Sequence, residues 1–92
     1  MMNDQARELI ESLRRRLGAK IEQLTQLFES ECGLEIFDLA SQVLGDPISA
    51  ADWLTSGHVG LNGAVPAVAA LDADGREAVR TYLQQIEYGV YV

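Results

Sequence analysis

Six apolar residues, Ile10, Leu13, Leu17, Ile21, Leu24 and Phe28, stand 3, 4, 4, 3 and 4 positions apart in the first third of the chain. That spacing lines one face of an α-helix, so this stretch is committed to a single long helix. Asn3 or Asp4 can cap its start, and Gly33 is placed to end it in the left-handed conformation. The stripe repeats every eleven residues: Ile10 to Ile21, Leu13 to Leu24, Leu17 to Phe28. A period of about 3.67 residues per turn makes a straight or slightly right-handed helix and not a left-handed heptad coil. About 27 residues at about 1.5 Å each give a rod of roughly 40 Å, longer than the rest of so short a chain needs to cover itself. Part of the stripe is therefore expected to pack against a second copy. These six residues are the predicted dimerisation face of a homodimer.

Beyond the rod the periodicity stays helical. A second helix is predicted from about Leu34 to Leu44, with Ile36, Phe37, Ala40, Val43 and Leu44 inward and Gly45 as its stop. Asp46 then supplies an N-cap oxygen and Pro47 fits the first helical position, where its missing N–H costs nothing. The third helix runs to about Thr55 and is expected to bury Ile48, Ala51 and Leu54 beside Trp53. Ser56, Gly57, Gly60, Asn62 and Gly63 mark an irregular turn. Pro66 starts a short helix to about Leu71. Asp72 caps the last helix, in which Val79, Tyr82, Leu83 and Ile86 form the inner face and Gly89 ends the element. No segment alternates with period two. The fold class is all-α, a small bundle of four or five helices, divided into a long N-terminal helix over residues 1–33 and a compact helical unit over 34–92.

The side-chain inventory offers little reactive chemistry. His58 and Cys32 are each the only residue of their type. Cys32, beside Gly33, reads as a helix-terminus residue, and a lone cysteine excludes an internal disulfide and suits a reducing cytoplasm. His58 reads as a solvent-accessible turn histidine, with a contact to a partner as the alternative. Two such ligands are too few for a closed zinc site. Asp72-Ala73-Asp74-Gly75 begins like a calcium loop, but Leu83 stands where the bidentate glutamate belongs. Gly57, Gly60 and Gly63 lack the preceding strand and following basic residue of a phosphate cradle. No enzyme activity, cofactor or metal is expected. The longest apolar run, residues 67–71, is far short of the roughly 20 residues of a membrane span. The start of the chain has no secretory pattern.

Charge is unevenly placed within a net −7. Arg7, Arg14, Arg15, Arg16 and Lys20 are five of the seven basic residues; from Glu35 onward eight acids face only Arg76 and Arg80. The C-terminal part is a poor phosphate binder, so any DNA contact would use the Arg14, Arg15, Arg16 and Lys20 patch. A helix-turn-helix is not visible either. The helices after Gly33 and Gly45 begin with Glu35, Asp38 and Ile48, Asp52, which would not meet base edges.

From Phe37 onward the spacing of residues resembles a known family. Ala40-Ser41-Gln42-Val43-Leu44-Gly45-Asp46, Ala51-Asp52-Trp53-Leu54, Leu61-Asn62-Gly63, Pro66, Leu71, Gly75, Val79, Leu83 and the closing Ile86-Glu87-Tyr88-Gly89-Val90-Tyr91 follow the order of the Xre/MbcA/ParS-like antitoxin domain. The resemblance implies the toxin-binding part of a bacterial type II antitoxin. It implies as partner a RES-type toxin, which consumes NAD and whose active-site cleft the antitoxin covers. The usual member also carries an upstream Xre-type DNA-binding domain. Here one long helix stands in its place, and Ser56-Gly57-His58 replaces the Pro-Asn turn often found in the family.

Under this resemblance Trp53, Leu61, Pro66, Leu71, Val79 and Leu83 are expected in the core. Glu87, Tyr88, Gly89, Val90, Tyr91 and Val92 are the expected toxin-binding residues, because an apolar end with a rigid tyrosine anchors an interface well. Packing of that end on the first helix is the competing arrangement. Two other functions stand beside the antitoxin: a DNA-associated repressor of its own operon, and a homodimeric adaptor without a toxin.

Overall fold

The computed structural model describes residues 3–89. Five α-helices follow in order, α1 (Asp4–Phe28), α2 (Glu31–Leu44), α3 (Pro47–Leu54), α4 (Pro66–Ala69) and α5 (Ala73–Tyr88), with a 3-10 turn at Val59–Leu61 between α3 and α4. The described residues contain no strand. The expected all-α bundle is what the chain forms.

Capping chemistry sets most of the helix starts. Asn3, Ser30, Asp46 and Asp72 each take extended backbone and accept the N–H three residues on, at 2.7, 3.0, 2.8 and 2.7 Å. Each bond satisfies one of the orphan donors of a helix N-terminus. Asp46 also accepts the Ser49 hydroxyl at 2.8 Å. The Ser49 backbone bond first, and this hydroxyl second, hold its carboxyl below the usual aspartate value. Gly45 (φ 98°) and Gly89 (φ 70°) end α2 and α5 in the left-handed region, where a Cβ would be strained.

The boundary between α1 and α2 differs from the sequence expectation. Gly33 does not terminate α1, which stops at Phe28, and α2 begins at Glu31 and not at Leu34. Gly33 instead lies buried in the first turn of α2, where an added Cβ would fall 1.8 Å from the Leu27 carbonyl oxygen. The residue is needed for closeness. Gly75 repeats the arrangement in the first turn of α5, its absent Cβ 1.7 Å from the Ala69 carbonyl oxygen of α4. Cys32 sits exposed in the same first turn of α2.

Helix α2 packs on α3 and α5, while α1 lies across α2 and α4. Leu27, Ile36, Ala40, Ala50, Leu54, Ala67, Ala70, Val79 and Leu83 form the buried core, with Leu24, Phe37, Val43, Trp53 and Leu61 half-buried around it. Pro66 and Tyr82 are buried as well. Two expected core residues are outside: Ile48 is 80% exposed and Leu71 49%. Ala50 and Leu54, four apart, take the inward face of α3 in place of Ile48.

Helix α1 extends beyond this body. Its 25 residues span about 37 Å at about 1.5 Å per residue, and the molecule measures 50 × 31 × 24 Å. One face of α1 meets the body, through Leu27 in the core and through Lys20, whose Nζ donates to the Thr55 carbonyl at 3.2 Å and hydroxyl at 3.3 Å.

Candidate functional site

The turn between α3 and α4 is built onto α5. Trp53, in the last turn of α3, stacks on His58 at 4.6 Å and 26°, and both rings lean on Tyr82 of α5, at 5.7 and 6.1 Å. His58 Nε2 lies 2.8 Å from the Trp53 carbonyl oxygen. A carbonyl only accepts, so Nε2 carries the hydrogen and donates it. The backbone then closes on itself, His58 N–H to Ala64 O at 3.2 Å and Gly63 N–H to His58 O at 2.8 Å. Gly60 lies against the Tyr82 ring so closely that a Cβ would stand 2.5 Å from it. The expected solvent-accessible histidine is therefore corrected: His58 is a half-buried packing residue of an aromatic cluster.

Two grooves flank α5 as a result. One, of about 450 Å³, lies between the turn and the helix, lined by Gly60, Leu61, Asp74, Glu77, Thr81 and Gln85 among others. The second, of about 360 Å³, lies between α2 and α5, lined by Glu35, Asp38, Leu39, Gln42, Arg80 and Gln84. Residues 74, 77, 81 and 85 form one exposed row, and Tyr88 continues it at helical spacing. Residues 77, 80 and 84 form a neighbouring row that Glu87 continues. On the opposite face of the helix Val79, Tyr82 and Leu83 turn to the core.

Both rows thus end at the C-terminal tip of α5. Tyr88 is 74% exposed there, Glu87 is exposed, and Gly89 turns the chain off the helix axis. Val90, Tyr91 and Val92, also expected at the interface, lie outside the described residues. The surface along the rows is acidic. Glu35, Asp38, Asp74, Glu77 and Glu87 outnumber Arg80, whose Nη1 pairs with Glu77 at 3.0 Å. An exposed pair of this kind contributes little to stability.

The other expected residues fall elsewhere. On α1, Ile10, Leu13, Leu17, Ile21 and Phe28 are all exposed, Leu17 at 59% and Ile21 at 64%, and Leu24 is half-buried. Phe28 meets Phe37 edge to face at 5.0 Å. In the basic patch, Arg14 pairs with Glu11 at 2.9 Å and Lys20 is turned inward to Thr55. Among the described residues no group of three His, Cys, Asp or Glu is placed to hold a metal ion. No helix among them is long and apolar enough to cross a membrane.

Sequence reasoning missed the two grooves, although their signal was present. The exposed spacing 77, 81, 85, 88 on α5 and the glycine facing Tyr82 are both in the primary structure; which element would cover α5 is not.

Residues 39–89, which are 51 of the 92, match the sequence family described as the antitoxin Xre/MbcA/ParS C-terminal toxin-binding domain. No curated protein and no solved structure matches the chain. The matched segment takes in α3, the 3-10 turn, α4, α5 and Gly89, and leaves out α1.

Proposed function

Because the chain belongs to the antitoxin Xre/MbcA/ParS C-terminal toxin-binding domain family, we propose that it neutralises a RES-type, NAD-consuming toxin by laying the C-terminal end of α5 over the toxin's active-site cleft. The contact residues of this reading are Glu87, Tyr88 and Gly89 with Val90, Tyr91 and Val92. The observation that supports it is Tyr88, a large aromatic left 74% exposed where both exposed rows of α5 end. Such an aromatic presents a large contact area at the cost of only two side-chain torsions, which suits it to an interface centre. A cleft that binds a pyrophosphate cofactor is cationic, so the acidic rows leading to Tyr88 favour encounter and the correct partner. The role is binding and not catalysis.

The repressor alternative gains no support from the geometry. Two of its four basic residues already have partners within the chain, Arg14 in an ion pair and Lys20 in hydrogen bonds to Thr55.

Co-expression with the toxin tests the proposal. Tyr88→Ala is expected to leave the thermal transition nearly unchanged, since exposed substitutions stay within about 0.5 kcal/mol, and removal of residues 90–92 is expected to do the same. Both are expected to lose rescue of toxin-expressing cells and co-purification of the toxin. Full rescue by both variants would move the interface away from the end of α5.

A further inference from the structure

Among the described residues, nothing covers most of the apolar stripe of α1. Ile10, Leu13, Leu17 and Ile21, with Arg14 and Gly18, line a groove of about 420 Å³ to which no other element among the described residues contributes. The body lies on one side of the stripe, at Lys20 and Leu27. The opposite flank carries Arg7, Glu11, Arg14, Gly18, Glu22, Thr25 and Glu29, at steps of 4, 3, 4, 4, 3 and 4. Such steps stay on one helix face. They also read the same in both directions from Gly18: Arg7 and Arg14 before it answer Glu29 and Glu22 after it, while Glu11, which pairs with Arg14 at 2.9 Å within the chain, answers the uncharged Thr25.

We propose that two copies of the chain pair antiparallel through α1, with the two-fold axis at Gly18. Reversal about that point sets Arg7 of one copy beside Glu29 of the other, and Arg14 beside Glu22. The two-fold doubles both pairs. A parallel two-fold would instead turn this flank against the partner's opposite flank, where Lys20 and Leu27 meet the body. The same reversal interdigitates the stripe. Ile10 falls opposite position 26, between Leu24 and Phe28; Leu13 opposite 23, between Ile21 and Leu24; Leu17 opposite 19, between Leu17 and Ile21. Every apolar side chain on this side meets a gap, the geometry of knobs in holes.

Gly18 supports the axis independently. Glycine is a poor residue for a helix interior, and here, apart from its own helix's backbone and its chain neighbours, nothing among the described residues lies within 4 Å of where its Cβ would be. On the axis, the missing side chain leaves the two backbones free to approach. The pairing also gives the projecting half of α1 a place, beside the body-bound half of the other copy. It does not depend on the toxin-binding reading, because no residue at the end of α5 takes part.

Light scattering and sedimentation of the full chain at tens of micromolar are the test. The expected mass is twice the chain's 10.1 kDa. Arg7→Glu with Arg14→Glu should raise the dimer dissociation constant roughly tenfold, through repulsion at exposed pairs. Adding Glu22→Arg and Glu29→Arg to the same chain should bring it back to within a few-fold, because all four pairs are then attractive with signs exchanged. Circular dichroism checks that each variant stays helical. A nitroxide at Glu8→Cys in a Cys32→Ser background should report two labels about 30 Å apart along the axis, twenty residues at about 1.5 Å each. A monomeric mass, no response to the double reversal, no recovery in the quadruple variant, or adjacent labels would each overturn the antiparallel dimer.

Discussion

Gly33 stands three positions after the Ser30 cap, with the Leu27 carbonyl where its side chain would be. Gly33→Ala is expected to cost about 1–3 kcal/mol, the range for overpacking a filled site, as read from the midpoint of urea denaturation. The position shows what a sequence does and does not disclose. Caps at Asn3, Asp46 and Asp72 are legible because a side chain bonding the N–H three residues on is a local event. Gly33 was misread as a helix stop because its role is set by a carbonyl six residues earlier, reached only after the chain turns a corner. His58 likewise depends on a stacking partner five residues back and on Tyr82 from a different helix.

Helix periodicity is legible in every element, but the direction of the body is not. Ile48 and Leu71 carry the right polarity for a core and still lie outside, since Ala50 and Leu54 set the rotation of α3 and Ala67 and Ala70 that of α4. The same limit applies to α1. Its stripe was evident, but the body grips the neighbouring face at Lys20 and Leu27 and leaves most of the stripe open. Lys20 is the anchor of that arrangement, holding α1 to the end of α3 through both oxygens of Thr55. Lys20→Met, which keeps the apolar stem, is expected to cost about 1–2 kcal/mol, at the lower end for hydrogen bonds to a charged group. Hydrogen exchange should show the loss concentrated in the amides of α1.

At the scale of the molecule, an N-terminal rod of nearly balanced charge, five basic and four acidic residues over Asp4–Phe28, joins an acidic body, and the proposed toxin contact belongs to the body alone. The association rate with the toxin should therefore fall as ionic strength rises from about 0.05 to 0.5 M, with a smaller change in dissociation rate, as stopped-flow mixing would show. A flat salt response would mean that the acids of α5 do not steer. The end of α5 was the part of the candidate site legible from sequence; the grooves leading to it arise from helices meeting across the core. Those helices meet at two corners of one design, Ser30 with Gly33 and Asp72 with Gly75, each bonding the new helix's first turn while a glycine rests on the old helix's last carbonyls. Corners closed this tightly have no slack through which α2 or α5 could swing. A partner docking on α5 as proposed is therefore expected to cost little backbone entropy along Ala73–Tyr88, and the heat capacity change of binding should follow the apolar area covered there.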